Sequence, residues 1–277
     1  MNILPNIEII NLALYFDSVL VIADVHIGYE EVLNKQGVLL PRLQFEDMVK
    51  RMEGIFNELK GRKIERIVVN GDLKHEFGTI SEQEWRNTLK FMDLLAKHCN
   101  EIILIKGNHD NILGPIARKR NVKILENYII KPLTENDNNR KTTIIKKILK
   151  KHAKNRILIT HGDKLPRKEV LADVSTIIIG HEHPAISLKE GPRVESYKCF
   201  LKGKYNGKKL IVQPSFNTII EGTDVLRAET LSPFLKQNLD GFEVYVVEDK
   251  VYGFGKLREF RKKQISSYTT SPTNLTL

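Results

Sequence analysis

Five short apolar runs, rich in valine and isoleucine, are each followed at once by a cluster of histidine, aspartate, asparagine and glycine residues. The runs are Val19 to Ala23, Ile64 to Val69, Glu101 to Ile105, Arg156 to Thr160 and Ser175 to Ile179. Each run has the length and the β-branched bias of a buried strand. Because α/β sheets place their ligands at the carboxyl ends of strands, the clusters predict a functional site at one edge of a sheet.

Two stretches between the early runs have the spacing of helices. Leu43 to Leu59 and Glu82 to Lys97 carry apolar residues at helical intervals. Ser81, with Glu84 three residues later, is a capping box that predicts where the second helix begins. Strands that alternate with helices favour βαβ units and an α/β sandwich.

The second half of the chain changes to short strands joined by turns. The Asn206-Gly207 pair predicts a hairpin between Tyr197 to Tyr205 and Lys208 to Val212, and a second hairpin is predicted between Phe242 to Val247 and Val251 to Phe254. These strands add a largely antiparallel part to the fold. We therefore expect one domain with two sheets over residues 1–265, followed by a disordered tail at 266–277.

The composition excludes several classes of protein. Hydrophobic residues make up 41% and charged residues 28% of the 277 positions, which excludes wholesale disorder, a collagen-like repeat and a disulfide scaffold. Cys99 and Cys199 are too few for a disulfide framework or a cysteine metal cluster. The N-terminal residues have the pattern of neither a signal peptide nor a membrane span. We therefore expect a cytoplasmic protein with no membrane span.

The chain is basic. Lysine and arginine number 44 and aspartate and glutamate 34, a formal net charge of +10. This excess favours polyanionic partners such as nucleic acid, or reflects a charged surface of the thermophilic type. The segment Arg140 to Arg156 carries eight basic residues and no acid. We interpret it first as a solvated helix face, and alternatively as a contact surface for a phosphate backbone.

The clusters behind the strands contain seven side chains of the kinds that bind metals, and five of the eight histidines follow these strands. The seven are Asp24, His26, Asp72, Asn108, His161, His181 and His183. Carboxylate, imidazole and amide ligands without thiolates suit Mn, Fe, Ni, Co or Zn. Seven groups are too many for one ion, so we expect two ions that share a hydroxide.

The spacing within the clusters suggests how the ligands are presented. Asp24 and His26 are two residues apart, as are His181 and His183, so an extended backbone would point both members of each pair to one side. Glycines beside the candidate ligands would let the backbone turn sharply and bring the substrate close. Taken singly, Asp24 could be an ordinary turn residue, and Asn108 or Asp110 a helix cap.

The motifs Asp-x-His, Gly-Asp, Gly-Asn-His-Asp, His-Gly and Gly-His-x-His occur in this order between Asp24 and His183. Together they resemble the calcineurin-like metallophosphoesterases. Within that family, the stretch from Gly71 to His75 looks most like the nuclease subunit of double-strand-break repair complexes, and like small archaeal phosphoesterases related to it. The resemblance implies a four-layer α-β-β-α sandwich with two mixed β-sheets.

The resemblance also implies roles for individual residues. Asp24, His26 and His183 would hold a first divalent metal, Asn108, His161 and His181 a second, and Asp72 would bridge the two. Mn is the first choice of metal, with Ni, Co, Fe or Zn as alternatives. His109 would contact the substrate phosphate or protonate the leaving oxygen, and His75 would assist, although a structural role for His75 is as good an interpretation.

We therefore predict a dimetal phosphoesterase that acts on a phosphate diester in nucleic acid or a nucleotide, with a metal-bridging hydroxide as the nucleophile. One alternative is a pyrophosphohydrolase for a small nucleotide or a lipid-linked substrate. Another is a non-catalytic subunit that binds nucleic acid or joins a complex. Few residues follow His183, which argues against the DNA-capping domain of the repair nucleases. The oligomeric state stays open.

Overall fold

The computed structural model describes residues 1–41, 43–76, 81–110, 114–120, 122–131, 156–190 and 193–261. Two of the sequence predictions concern residues outside these ranges. They are the basic segment from Arg140 to Arg156, with the exception of Arg156 itself, and the tail at 266–277 together with its boundary at residue 265. The polar, asparagine-rich segment from Thr134 to Lys141, whose composition predicts a surface loop, also lies outside them.

A first sheet contains strands whose spatial order follows the chain. They are β1 (Asn2–Leu4), β2 (Ile7–Ile10), β3 (Ala13–Phe16), β4 (Val19–Ala23), β5 (Arg66–Asn70), β6 (Glu101–Ile105) and β7 (Lys123–Leu125). Neighbours from β1 to β4 are antiparallel, and neighbours from β4 to β7 are parallel. Strands β1 to β3 are not predicted by the sequence, because they are short and because β3 is buried throughout and shows no alternation.

A second sheet is built around one long strand. Its strands are β8 (Asn127–Ile130), β9 (Ile157–Thr160), β10 (Thr176–Ile179), β11 (Pro184–Glu190), β12 (Arg193–Tyr205), β13 (Lys208–Val212), β14 (Thr223–Asp224), β15 (Glu243–Val247) and β16 (Val251–Lys256). The order is β14-β11-β12-β13-β10-β9-β8, and β15 joins β12 to β16. The first part of β12 pairs with β11, and its last part lies between β13 and β15. Both predicted hairpins are confirmed.

The described helices are short except for two. They are α1 (Tyr29–Lys35), α2 (Gln44–Glu58), α3 (Glu82–Ala96), α4 (Gly114–Arg120) and α5 (Lys168–Ala172), with a 3₁₀ turn at Pro233–Leu235. Met48, Met52 and Ile55 recur at helical spacing and form the buried face of α2. Within the described ranges, no helix is both long and apolar enough to cross a membrane.

The second sheet separates two apolar layers, because alternate residues along its strands point to opposite faces. Ile178 and Ile211 pack into the core that the two sheets share. Their neighbours Ile177 and Leu210 pack on the other face, against residues that include Phe234. Complete burial of such side chains stabilises the fold by about 1.5–3 kcal/mol each. With α2 and α3 packed against the first sheet, this arrangement confirms the predicted sandwich of two mixed sheets.

Candidate metal centre

The carboxyl ends of five strands, three from the first sheet and two from the second, meet at one end of the sandwich. All seven candidate ligands lie in the loops that follow these strands, β4, β5, β6, β9 and β10. The parallel strands of each sheet end at the same edge, and packing of the sheets brings the two edges together. The predicted convergence of the five motifs is therefore present in the fold.

The first group of side chains comprises Asp24, His26 and His183, and their ligand atoms lie within 4.8 Å of one another. His26 Nε2 and His183 Nε2 are 3.3 Å apart. His183 Nε2 also lies 3.6 Å from Asp24 Oδ1. One carboxylate oxygen and two ring nitrogens thus converge in the combination predicted for the first metal.

The second group comprises Asp72, His161 and His181, again with ligand atoms within 4.8 Å of one another. His181 Nδ1 lies 3.1 Å from His161 Nε2, which in turn lies 2.9 Å from the Asn108 amide oxygen Oδ1. The amide oxygen therefore joins two imidazoles and a carboxylate. This is the combination predicted for the second metal.

Asp72 lies between the two groups. Its Oδ2 atom is 3.7 Å from His26 Nε2 in the first group and 3.5 Å from His161 Nε2 in the second. Its other oxygen, Oδ1, accepts a hydrogen bond from the backbone N–H of His109 at 2.9 Å. The carboxylate is thus anchored by one oxygen and presents the other to both groups, which is the position that a bridging ligand requires.

Several buried polar atoms of the site are not paired with one another by hydrogen bonds, which favours a bound cation. Asp24 Oδ2 accepts from the backbone N–H of His181 at 2.9 Å, but Asp24 Oδ1 and His161 Nδ1 are buried and have no hydrogen-bond partner among the described residues. A buried polar atom without a partner costs about 1–3 kcal/mol. Burial and the neighbouring carboxylates Asp24 and Asp110 raise the pKa of Asp72 to about 9. A divalent cation would satisfy the Asp24 oxygen and offset that accumulation of negative charge. His161 faces the second group through Nε2, and its Nδ1 atom lies 3.4 Å from Asp24 Oδ1.

The backbone at the site is left-handed rather than extended. Asp24, His26, Asp72, His181 and His183 have φ angles of 53°, 46°, 44°, 64° and 49°. The expectation that extended backbone aligns the paired ligands is therefore wrong. This conformation costs about 1–2 kcal/mol for each residue other than glycine. Backbone strain of this kind is concentrated at functional sites. It allows the backbone N–H of His26 to donate to the Asp72 carbonyl at 2.8 Å, which joins two of the loops.

Two glycines make room for candidate ligands. A Cβ atom on Gly71 would lie 1.9 Å from His161 Nδ1, and a Cβ atom on Gly107 would lie 2.1 Å from Asp72 Oδ1. The sequence predicts that such glycines turn the backbone sharply and bring the substrate close, and Gly71 has the positive φ, 81°, of a sharp turn. The structure adds that both glycines allow the ligand side chains of neighbouring loops to come within contact distance.

His109 and His75 lie beside the two groups. His109 Nδ1 faces the His75 carbonyl oxygen at 2.6 Å, and since a carbonyl only accepts, Nδ1 carries a proton. His75 Nδ1 lies 3.2 Å from His26 Nδ1. Burial, followed by the nearby His109 and Lys74, lowers the pKa of His75 to about 4, and burial also lowers the pKa of His109. Both rings therefore adjoin the candidate ligands.

Two charged residues that the sequence analysis did not assign to the site hold its loops together. Lys74 is fully buried, and its Nζ atom donates to the carbonyl oxygens of Glu76 and, at 2.9 Å, of His109. The Asp110 carboxylate accepts from the backbone N–H groups of Leu73 at 3.1 Å and Gly107 at 3.0 Å. Lys74 follows the Gly-Asp motif by two residues and Asp110 ends the Gly-Asn-His-Asp motif, and these positions are the one sequence signal that could have indicated this role.

Glu84 has a different role from the one its spacing predicts. Ser81 caps α3 as expected, accepting from the Glu84 backbone N–H at 3.0 Å. The Glu84 carboxylate, however, accepts from the backbone N–H groups of His75 at 3.0 Å and Glu76 at 3.2 Å. It thereby positions the loop that carries His75.

Comparison with known proteins agrees with this geometry. The family model described as calcineurin-like phosphoesterase matches residues 18–222, which contain every candidate ligand. The structure is similar to the nuclease MPE of Pseudomonas putida, with a TM-score of 0.53 and 16% identity over 87% of this chain and 91% of that chain. That likeness supports the fold. No curated protein matches the sequence significantly.

Two further solved structures resemble the chain more weakly. The zinc complex of Vps29 from Entamoeba histolytica is 17% identical over 85% of this chain and 96% of that chain, with a TM-score of 0.35. The phosphoesterase YfcE from E. coli is 12% identical over 86% of this chain and 98% of that chain, with a TM-score of 0.36.

Proposed function

The chain belongs to the calcineurin-like phosphoesterase family, and from that membership we propose that it is a dimetal phosphodiesterase that hydrolyses phosphate diesters in nucleic acid or nucleotides. The observation that carries the proposal is the position of Asp72 Oδ2, 3.7 Å from a nitrogen of one ligand group and 3.5 Å from a nitrogen of the other. A carboxylate placed between two sets of nitrogen and oxygen donors is suited to hold two cations side by side.

In this proposal each group holds one divalent cation, with Mn as the first choice. Asp24, His26 and His183 would hold the first cation, Asn108, His161 and His181 would hold the second, and Asp72 would contact both. Nitrogen and oxygen donors without thiolates are compatible with Mn, Fe, Co, Ni and Zn. When bound, the two cations would activate water and neutralise charge on the phosphate.

The protein's own side chains position the substrate and handle protons. Asp72, anchored through the backbone N–H of His109, sets the spacing of the two groups. The bond from His109 Nδ1 to the His75 carbonyl fixes the ring, so that Nε2 is the nitrogen assigned to a phosphate or leaving-group oxygen. A positioned group of this kind contributes about 100- to 10,000-fold in rate. His75 is assigned an assisting role through its contact with His26.

Three observations support a diester of nucleic acid or a nucleotide as the substrate. The net charge of +10 attracts polyanions. The similar structure of MPE is that of a nuclease. The stretch from Gly71 to His75 looks like the corresponding stretch of repair nucleases. The net charge favours any polyanion, and the two resemblances favour diesters over the small pyrophosphate substrates of the alternative hypothesis.

The test is metal-dependent hydrolysis by the full chain. Protein stripped with a chelator and reloaded with Mn, Co, Ni or Zn is assayed on bis(nitrophenyl) phosphate and on nitrophenyl phosphate, with Asp72→Asn as the inactive control. We expect turnover of the diester with at least one metal and a preference for it over the monoester. The absence of turnover with every metal would favour the non-catalytic subunit.

A parallel assay tests the class of substrate. Single- and double-stranded DNA are incubated with the Mn-loaded protein, and binding of the same DNA is followed by gel shift at increasing salt. We expect cleavage, and binding that weakens steeply with salt because phosphate contacts release counterions. Diester hydrolysis without any DNA binding at low salt would move the substrate to small nucleotides.

A further inference from the structure

Glu182 stands in the chain between two candidate ligands, His181 and His183, and belongs to neither of the two ligand groups. Its side chain is nevertheless fully buried. A buried carboxylate needs hydrogen bonds or a cation to compensate for the water that it has lost. The partners of Glu182 therefore indicate why an acid lies at this position.

The carboxylate of Glu182 binds a segment that is remote in the chain. Its Oε2 atom accepts hydrogen bonds from the backbone N–H groups of Leu231 at 2.9 Å and Ser232 at 2.8 Å. Hydrogen bonds to an ionised acceptor are about twice as strong as those between neutral groups. The loop that carries His181 and His183 is therefore tied, through its middle residue, to residues 231–232.

Ser232 extends this link to a second ligand loop. It is fully buried, and its Oγ atom donates to the Gly162 carbonyl at 2.7 Å. Gly162 directly follows the candidate ligand His161. The same two loops also contact each other, since the backbone N–H of Gly180 donates to the His161 carbonyl at 2.9 Å. Two ligand loops are thus held by one short segment.

The segment 231–232 is itself anchored in the apolar layer that contains Phe234. Ser232 caps the 3₁₀ turn at Pro233–Leu235, because its Oγ atom also accepts from the backbone N–H of Phe234. Phe234 and Leu235 are buried in that layer. Close packing restricts the movement of such side chains. The segment is therefore a fixed support for the loops that it contacts.

We propose that Glu182 and Ser232 are positioning residues that set the geometry of the second cation site. Glu182 acts through His181 and Ser232 through His161, and the two residues are joined by the hydrogen bond between them. Loss of an outer partner that orients a metal ligand typically weakens metal affinity or activity about 10- to 100-fold. The inference rests on the dimetal centre of the proposed function.

The contacts support the second ligand group more than the first. Each of the two loops that the link joins carries a ligand of the second group. The first group has one ligand on these loops, and its other two, Asp24 and His26, are supported elsewhere. Their carbonyls accept from the side chains of Ser215 at 2.7 Å and Asn217 at 3.1 Å, respectively. Loss of the link is therefore expected to affect the second cation more strongly.

The experiment is a calorimetric titration of Mn into the metal-free full chain, which gives a dissociation constant for each of two ions. Asn108→Ala lacks a ligand of the second group alone, so the constant that it changes most identifies the second ion. The variants are Glu182→Ala, Glu182→Gln and Ser232→Ala. The matched control is Ser175→Ala, since the Ser175 hydroxyl also donates to a backbone carbonyl, that of Arg156, at the opposite end of β9 and β10. Thermal unfolding checks that each variant is folded.

We expect wild type to bind two Mn ions. Glu182→Ala loses both bonds to the segment and should weaken the second ion about 10- to 100-fold, with a smaller effect on the first. Ser232→Ala loses one neutral hydroxyl and should weaken the second ion about 2- to 10-fold. Glu182→Gln should recover most of the lost affinity, because its amide oxygen can accept the same two bonds. Ser175→Ala should change neither constant.

Several results would overturn the assignment. Glu182→Ala could weaken both ions equally, as a general loss of stability would, or weaken neither. Glu182→Gln could bind as weakly as Glu182→Ala, which would make the charge of Glu182, and not its hydrogen bonds, responsible. Should Glu182→Ala fail to fold, Ser232→Ala decides the question, and affinities equal to those of Ser175→Ala would refute the link.

The same titration separates this inference from the proposed function. Wild type that binds fewer than two Mn ions would overturn the dimetal centre and the positioning role together. Two ions in wild type, bound just as tightly by Glu182→Ala and Ser232→Ala, would overturn the positioning role alone.

Discussion

His161 Nδ1 and Asp24 Oδ1 lie 3.4 Å apart, and neither atom makes a hydrogen bond within the described part of the chain. Asp24 follows a strand of the first sheet and His161 a strand of the second. Their contact therefore depends on how the two sheets pack. Asp24 Oδ1, a buried carboxylate oxygen without a hydrogen-bond partner among the described residues, is expected to gain from a bound cation, while His161 faces the second group through its other nitrogen, Nε2.

Gly71→Ala is expected to abolish metal-dependent activity. The added Cβ would lie 1.9 Å from His161 Nδ1, so the imidazole must move away from the second group. Gly61→Ala is a matched control, because Gly61 has a φ of 85° against 81° for Gly71 and nothing lies within 4 Å of its added Cβ. Metal content and diester hydrolysis are measured in both variants. Equal losses in the two would mean that backbone strain, and not the overlap with His161, is responsible.

Asp72→Asn and His109→Ala should separate metal binding from turnover. Asp72 contacts both ligand groups, so its neutral amide should lower the metal content of the purified protein. His109→Ala keeps the backbone N–H that binds Asp72, and should retain the metals while losing about 100-fold or more of kcat. Metal content by mass spectrometry and kcat on the diester are the readouts. Undiminished kcat in His109→Ala would refute the assigned role.

Lys74→Met is expected to destabilise the protein by about 1–3 kcal/mol. The substitution keeps an unbranched side chain one atom shorter than lysine but leaves the His109 and Glu76 carbonyls without their donor. Lys60→Met, at an exposed lysine, provides the comparison. Urea unfolding of the two variants and the wild type measures the difference. A Lys74→Met protein as stable as Lys60→Met would show that the buried ammonium is dispensable.

Lys198 should make stability depend on pH. Its pKa in the folded protein, about 7, lies below the ordinary value of 10.5, so the unfolded chain binds more protons between these values. The contribution of Lys198 to stability therefore rises with pH across this window, by about 2 kcal/mol between pH 7 and pH 9. The measurement compares unfolding free energies of wild type and Lys198→Met across that range. A difference between them that stays constant with pH would contradict the shifted pKa.

Much of the fold was predictable because its information is local. The strand β4 was predicted with its observed bounds, and Asn206 and Gly207 adopt the positive φ angles of 47° and 78° that a tight hairpin requires. The candidate ligands were identifiable because each stands directly behind a predictable strand. Strands that share a direction bring such residues to one edge, so their convergence could be expected without coordinates.

Other features depend on residues far apart in the chain. The burial of Lys74 follows from the neighbouring loop that supplies the His109 carbonyl, and the role of Glu84 from the position of the His75 backbone. The left-handed backbone at Asp24 and His26 likewise follows from hydrogen bonds to the loop after β5. None of these partners can be identified from sequence spacing.

The sequence by itself determined the types of candidate ligand, their order and the elements that carry them, because periodicity, turn chemistry and ligand chemistry are properties of short segments. Only the tertiary structure decided that Asp72 lies between the two groups, that Gly71 makes room for His161, and that Ser232 joins Glu182 to Gly162. These relationships arise where two sheets and their loops pack together. Distances of a few ångströms between residues remote in sequence are set by that packing.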